Sequence, residues 1–170
     1  MSGVLSREEI WQLMHADPRL VSELLDPEHQ LQPSGLDVTL GAVFQLTEMG
    51  RLGVDDRHLP DRVPVGFDFW GWLHLTPGSY VVQLNEVVRL PRDVMALGRP
   101  RSTLLRCGAT LHTAVWDPGY AGRSECLLVV ENPAGIELQK DARIMQLVFF
   151  RLDQPAEAGY SGQYQGENLQ

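Results

Sequence analysis

Chemistry concentrates in two neighbouring stretches of this 170-residue chain. Arg101-Ser102-Thr103-Leu104-Leu105-Arg106 places two guanidinium groups and two hydroxyls side by side. Shortly after, Asp117 opens the turn Asp117-Pro118-Gly119-Tyr120. Arginine and hydroxyl donors suit oxygen-rich anions, because a guanidinium fork matches two phosphate oxygens at once. A carboxylate held rigidly near a water can take its proton. Together the two segments supply what hydrolysis of a phosphate ester or anhydride requires. Each also has a plainer reading. Arg101 to Arg106 suits a solvated turn carrying surface arginines, and Asp-Pro-Gly favours tight turns for purely local reasons.

Several other chemistries are excluded. There is no Walker-type glycine loop, so a P-loop nucleotidase is ruled out. There is no GxSxG elbow, so His112 has no nucleophile to serve, and it is read with Trp116 as structural. Cys107 and Cys126 form no CxxC or His-Cys pattern and are read as reduced thiols. The net charge of -8 argues against a nucleic-acid partner, since no global positive field collects phosphates. A locally basic pocket for a small anion remains open. Lys140 is the only lysine among 14 cationic side chains, which suits bidentate phosphate contacts or reflects composition alone.

The elements that must position these groups are short. Ser6-Arg7-Glu8-Glu9 has capping-box spacing, and Ile10, Leu13 and Met14 follow at helical intervals. A helix is expected from about Ser6 to His15, stopped by Asp17-Pro18. Leu36 to Leu40 alternates and reads as a strand ended by Gly41; Tyr80 to Leu84 follows the turn Pro77-Gly78. Leu127 to Val130 and Ile144 to Phe150 are the most apolar runs, hence the expected central strands. Many short strands with little helix mean an all-β barrel or jelly roll in a single domain spanning residues 1–170. Gly50 to Phe67 reads as a surface insertion. Trp70 and Trp72 share a face at period two and read as core or interface. The tail from Asp153 to Gln170 reads either as a frayed terminus or as a lid that orders over a ligand. No apolar run approaches the roughly 18 residues needed to span a bilayer, and the N-terminus turns acidic too early for a signal peptide, so no membrane association and a cytoplasmic location are expected.

In combination the segments resemble the dUTPase and dCTP deaminase superfamily, particularly its archaeal-type dUTPase branch. Leu31 to Gly41 looks like the first motif of that family, and Pro77 to Tyr80 with Leu90 to Val94 look like its linking strands. Arg101 to Arg106 resembles its phosphate motif, and Asp117 to Gly122 its water-activating motif. Arg143 to Phe149 resembles the fourth motif, and Tyr160 to Gly166 the tail lid. The resemblance implies a distorted jelly roll of the dUTPase-like β-clip type, assembled as a homotrimer with sites shared between subunits. It also implies a pyrimidine deoxynucleoside triphosphate substrate and Mg2+ on the phosphates. By that likeness Asp117 activates a water that attacks the α-phosphorus of dUTP, giving dUMP and pyrophosphate. Arg101, Ser102, Thr103, Arg106 and Gln146 hold the phosphates, and Tyr120 packs on the deoxyribose. Tyr160, Gln163 and Gln165 belong to the lid, and Asp37 stands near the magnesium-bound waters.

The two activities of the superfamily share a scaffold. In the deaminases a glutamate follows the Asp-Pro-Gly turn and works on the base amino group. Anchoring on Glu131-Asn132 puts Val129 in that place, and a valine cannot shuttle a proton. Glu125 or Glu131 reaches the base only if the strand is offset. The arginine that precedes the family's catalytic aspartate is replaced by Val115-Trp116. Both departures favour dUTP hydrolysis over a dCTP deaminase or bifunctional enzyme; binding without turnover is the remaining alternative.

Overall fold

A computed structural model describes residues 3–169. The expected N-terminal helix forms at Arg7–Met14. Ser6 caps it: its side chain accepts from the Glu9 N–H, and the Glu9 side chain accepts from the Ser6 N–H. That reciprocal pair satisfies two otherwise orphaned donors. Ile10 and Met14 then bury one face against the sheet.

The rest is mostly antiparallel β structure, and the whole is 43% strand and 10% helix. One long strand, Gly35–Leu46, organises it. Its first half pairs with Arg143–Arg151 through Asp37↔Gln146 and Leu36↔Leu147. Its second half pairs with Gly78–Leu84 through Val43↔Val82 and Phe44↔Val81. The register shifts between Leu40 and Ala42, so the strand turns at a bulge and the sheet curls over itself. Gly41 therefore does not end the strand as its sequence suggested. It lets the chain bend where a Cβ would come within 2.8 Å of the Asn85 amide oxygen.

Beyond Gly78–Leu84 the sheet continues through Glu125–Val130 to Ala109–His112, while Val94–Pro100 pairs with the far edge of Arg143–Arg151. Both runs expected to be central are interior strands. Their inward side chains, Cys126, Leu128 and Val130 with Ile144, Leu147 and Phe149, join one aliphatic core.

Three expectations change. The Gly50 to Phe67 stretch is only partly an insertion. Arg51–Leu52 and Arg57–His58 form an exposed hairpin, but Arg62–Pro64 pairs with the end of the long strand, and Val65 and Phe67 pack on the core. Trp70 and Trp72 are not core residues. Trp70 is 74% exposed and Trp72 43%, because the buried positions of strand Trp72–Leu75 are Leu73 and Leu75. The tail is not frayed: it is strapped to the Asp117 turn. No helix among the described residues is long and apolar enough to cross a membrane.

Candidate active site

Asp117 sits on a type II turn built by its neighbours. Trp116 exchanges both backbone hydrogen bonds with Ala96, at 3.0 and 3.1 Å, which clamps the residue immediately before the carboxylate. Pro118 presets the first turn position, and Gly119 takes the second at φ +85°. The Tyr120 N–H closes the turn onto the Asp117 carbonyl at 3.1 Å. Leu90 holds it from outside, donating to the Tyr120 carbonyl and accepting from the Gly119 N–H. These bonds fix the Asp117 backbone and leave its carboxylate exposed at the cleft rim.

The turn rims an open cleft of about 930 Å³. Its apolar lining includes Val81, Val115 and Leu127; its polar lining includes Arg62, Ser124, Glu125 and Asn168. Tyr120 closes one side with its hydroxyl inside the protein, and burial pushes that hydroxyl well above the ordinary tyrosine value. Trp116 is buried, as expected of a structural residue. His112, also expected to be structural, is exposed and lines this cleft.

The tail forms the adjoining wall. Tyr160 donates its N–H to the Pro118 carbonyl at 2.8 Å, and its ring meets the Tyr120 ring edge-on at 5.8 Å. Gly166 donates to the Ala121 carbonyl at 2.8 Å, and Arg123 donates to the Glu167 carbonyl at 2.9 Å. Two glycines make the approach possible: a Cβ on Gly119 would stand 2.6 Å from the Gly159 Cα. Tyr160 and Tyr164 line the cleft. Gln165 does not; its side-chain amide accepts from the Ala121 N–H and donates to the Gly119 carbonyl, each at 3.0 Å. Gln163 is exposed and outside the cleft lining.

The phosphate-type residues gather elsewhere. Arg101 caps a short helix, Ser102–Arg106, and its N–H bonds the Ile144 carbonyl at 3.0 Å. Its Nε lies 3.1 Å from the Asp37 Oδ2, to which Arg143 also donates at 3.4 Å. Asp37 is 2% exposed. Burial raises its carboxyl and the two guanidinium groups oppose that rise. Gln146 lies opposite Asp37 in the sheet. Beneath them Glu86, 0% exposed, accepts from Thr39 N–H, Thr39 Oγ1 and Gln30 Nε2 at 2.9, 2.7 and 2.6 Å. Gln30 Nε2 also donates to the Asp37 carbonyl at 3.0 Å. This buried polar knot holds the Asp37 strand in register, and burial pushes the Glu86 carboxyl up.

Within one chain, then, Asp117, Tyr120 and Tyr160 meet, whereas Arg101, Ser102, Thr103, Arg106 and Gln146 line no part of their cleft. Asp37, expected near magnesium-bound waters, pairs with Arg101 and Arg143. The deaminase comparison also shifts. Val129 is not in the cleft lining, and Glu131 is exposed; Glu125, Cys126 and Leu127 are the residues of that strand that line it. Glu125 accepts two hydrogen bonds from Arg62 and one, at 3.1 Å, from Asn168. Arg62 and Glu167 carried no local signal, because each acquires its partners across 63 and 47 positions of sequence.

Residues 4–152 match the dCTP deaminase-like family. A probable deoxyuridine 5'-triphosphate nucleotidohydrolase from Archaeoglobus fulgidus is 50% identical over 169 residues, 98% of each chain. One from Methanococcoides burtonii is 49% identical over 168 residues, 98% of this chain and 99% of that one. Among solved structures, the 2'-deoxycytidine 5'-triphosphate deaminase of Agrobacterium tumefaciens superimposes with a TM-score of 0.69 at 21% identity, covering 88% of this chain and 48% of that one. That likeness shows the fold, and the archaeal relatives align across the tail as well as the sheet. With the curled sheet, the Asp117 turn and these alignments in agreement, the chain belongs to the dCTP deaminase-like family.

Proposed function

We propose that this chain hydrolyses dUTP to dUMP and pyrophosphate, with Asp117 as the general base. The observation that carries the reading is an exposed carboxylate carried on a backbone-fixed type II turn at the rim of a cleft, with the Tyr120 and Tyr160 rings beside it. The names of the archaeal relatives point to the same substrate. In this reading Asp117 takes a proton from a water, which attacks the α-phosphorus, and pyrophosphate leaves from the opposite side. The Tyr120 ring packs on the sugar face.

The phosphate-binding half comes from a second copy of the chain. One protomer places no phosphate-motif arginine at the Asp117 cleft, and its own guanidinium corner faces a different part of the surface. Assembly as a homotrimer joins the two, so that Arg101, Ser102, Thr103, Arg106 and Gln146 of one subunit serve Asp117 of another. Among the described residues no group of three or more His, Cys, Asp or Glu side chains is arranged to hold a metal. That donor set fits Mg2+ in one way, carried on the triphosphate oxygens, where it would neutralise charge on the transferring phosphoryl group. Arg101 and Arg143 already draw the Asp37 charge inward, so Asp37 orients guanidinium groups in this scheme.

Deamination of dCTP is the second reading, and Glu125 in the cleft is the observation that favours it. Its oxygens, however, are occupied by Arg62 and Asn168 donors. The deciding assay offers the protein dUTP and dCTP separately with Mg2+, following pyrophosphate and ammonia. Pyrophosphate from dUTP without ammonia is the expected result. Ammonia from dCTP overturns it in favour of the deaminase, and neither product leaves a module that binds without turnover.

A further inference from the structure

The cleft contains a line of hydrogen bonds that the hydrolytic scheme does not use. The Trp116 indole N–H donates to Ser124 Oγ at 2.7 Å. Ser124 Oγ lies 2.9 Å from the Tyr120 hydroxyl, which donates to Glu167 Oε1 at 2.7 Å. An indole is donor-only and a carboxylate acceptor-only, so the direction of the whole chain is set from its two ends. Ser124 must then donate to Tyr120, and Tyr120 to Glu167. Trp116, Ser124 and Tyr120 are all buried. A row of this kind is stronger when every member is satisfied, and a missing end leaves a buried hydroxyl without an acceptor.

Its two ends matter. Trp116 immediately precedes Asp117, and Glu167 belongs to the tail. We propose that Glu167 is a positioning residue. By accepting the Tyr120 hydroxyl, it clamps the tail onto the Asp117 turn and holds the Tyr120 ring and the Trp116–Asp117 edge in one arrangement. Glu167 is suited to this. It sits half-buried beside Glu125 and Arg62, its backbone carbonyl accepts from Arg123, and the following Asn168 donates to the Arg123 carbonyl and to Glu125. The tail is thus pinned on both sides of the carboxylate. The inference rests on Asp117 and Tyr120 serving nucleotide hydrolysis, but the clamp has a readout that needs no turnover.

The test uses the full chain with Glu167→Ala, Glu167→Gln, Tyr120→Phe and the double variant Glu167→Ala/Tyr120→Phe. Amide hydrogen exchange is measured at Tyr160 and Gly166, the tail donors to the Pro118 and Ala121 carbonyls, alongside kcat and KM for dUTP. Glu167→Ala is expected to speed exchange at both amides and to lower kcat/KM about tenfold, the effect of one hydrogen bond to a charged group. Glu167→Gln keeps an acceptor oxygen and restores both to within about threefold. The double variant is no worse than the more damaged single one, because both remove the same bond. Unchanged exchange in Glu167→Ala overturns the clamp. Faster exchange with kcat/KM intact, or failure of glutamine to rescue, overturns the positioning role. A wild-type chain inactive on dUTP overturns the hydrolase reading, while the exchange comparison still decides whether Glu167 pins the tail.

Discussion

The cleft around Asp117 and the corner around Asp37 each hold an aspartate, exposed in the first and buried in the second. Asp117 is fixed through backbone: a bridge to Ala96, a Pro-Gly turn and the strapped tail leave its carboxylate turned to open space. Asp37 is fixed through its side chain, with both Arg101 and Arg143 drawn onto one oxygen. The first arrangement keeps a carboxylate available for chemistry. The second uses one to aim cations. A general base and an orienting counter-ion are the same residue type, and only the surrounding partners tell them apart.

The sharpest way to break this contrast is to neutralise the available carboxylate. Asp117→Asn is expected to lower kcat on dUTP about a thousandfold while nucleotide still binds, as removal of a general base should. Near-normal turnover would remove Asp117 from that role. Mixing that variant with Arg106→Ala, after co-refolding, then asks whether the two regions of different subunits work together. Arg106 is exposed, so its loss leaves the fold intact. The mixture is expected to regain activity that neither variant has alone, and its failure to do so would place both halves in one chain.

A smaller effect comes from the turn itself. Gly119→Ala puts a methyl against Gly159 and an alanine at φ +85°. Loss of about 2 kcal/mol in unfolding free energy is expected, with the tail released to proteases. A tail as resistant as in the wild type would show that the Gly119–Gly159 contact does not govern docking.

The corner predicts a pH effect of a particular sign. Burial raises the carboxyls of Asp37 and Glu86 above their ordinary values of 3.8 and 4.5. The folded state therefore favours their neutral forms. Their contribution is fully present below those ordinary values and is lost as pH rises through the raised folded ones. The urea midpoint should fall as pH climbs from about 4.5, and Glu86→Gln should flatten that slope while lowering stability throughout, since one of its three donors then meets an amide NH2. A midpoint that rises over the same range would contradict this account. The mildest change expected is Val54→Ser in the exposed hairpin, where a side chain 100% exposed contributes less than about 0.5 kcal/mol; a larger loss of thermal stability would mean the hairpin is covered in the assembled protein.

Local chemistry made much of the molecule legible in one dimension. The Ser6 capping box, the Pro118-Gly119 turn and the apolar runs at Leu127 to Val130 and Ile144 to Phe150 each depend on neighbours a few residues away. Those elements form as read. Gly41, and the core half of the reading of Trp70, misled for one reason: a bulge and an exposed aromatic are decided by what lies across the sheet, and neither changes the local pattern. The site divides along the same line. Residue type and spacing nominated Asp117, Arg101 and the tail tyrosine Tyr160, because turn formation and anion affinity reside in short segments, while Tyr120 entered through the family resemblance. Arg62 meeting Glu125, Glu167 accepting from Tyr120, and Asp37 drawing in two arginines required the folded chain. Hydrogen bonds and ion pairs act over about 3 Å, and only curling of the sheet brings residues dozens of positions apart within that reach.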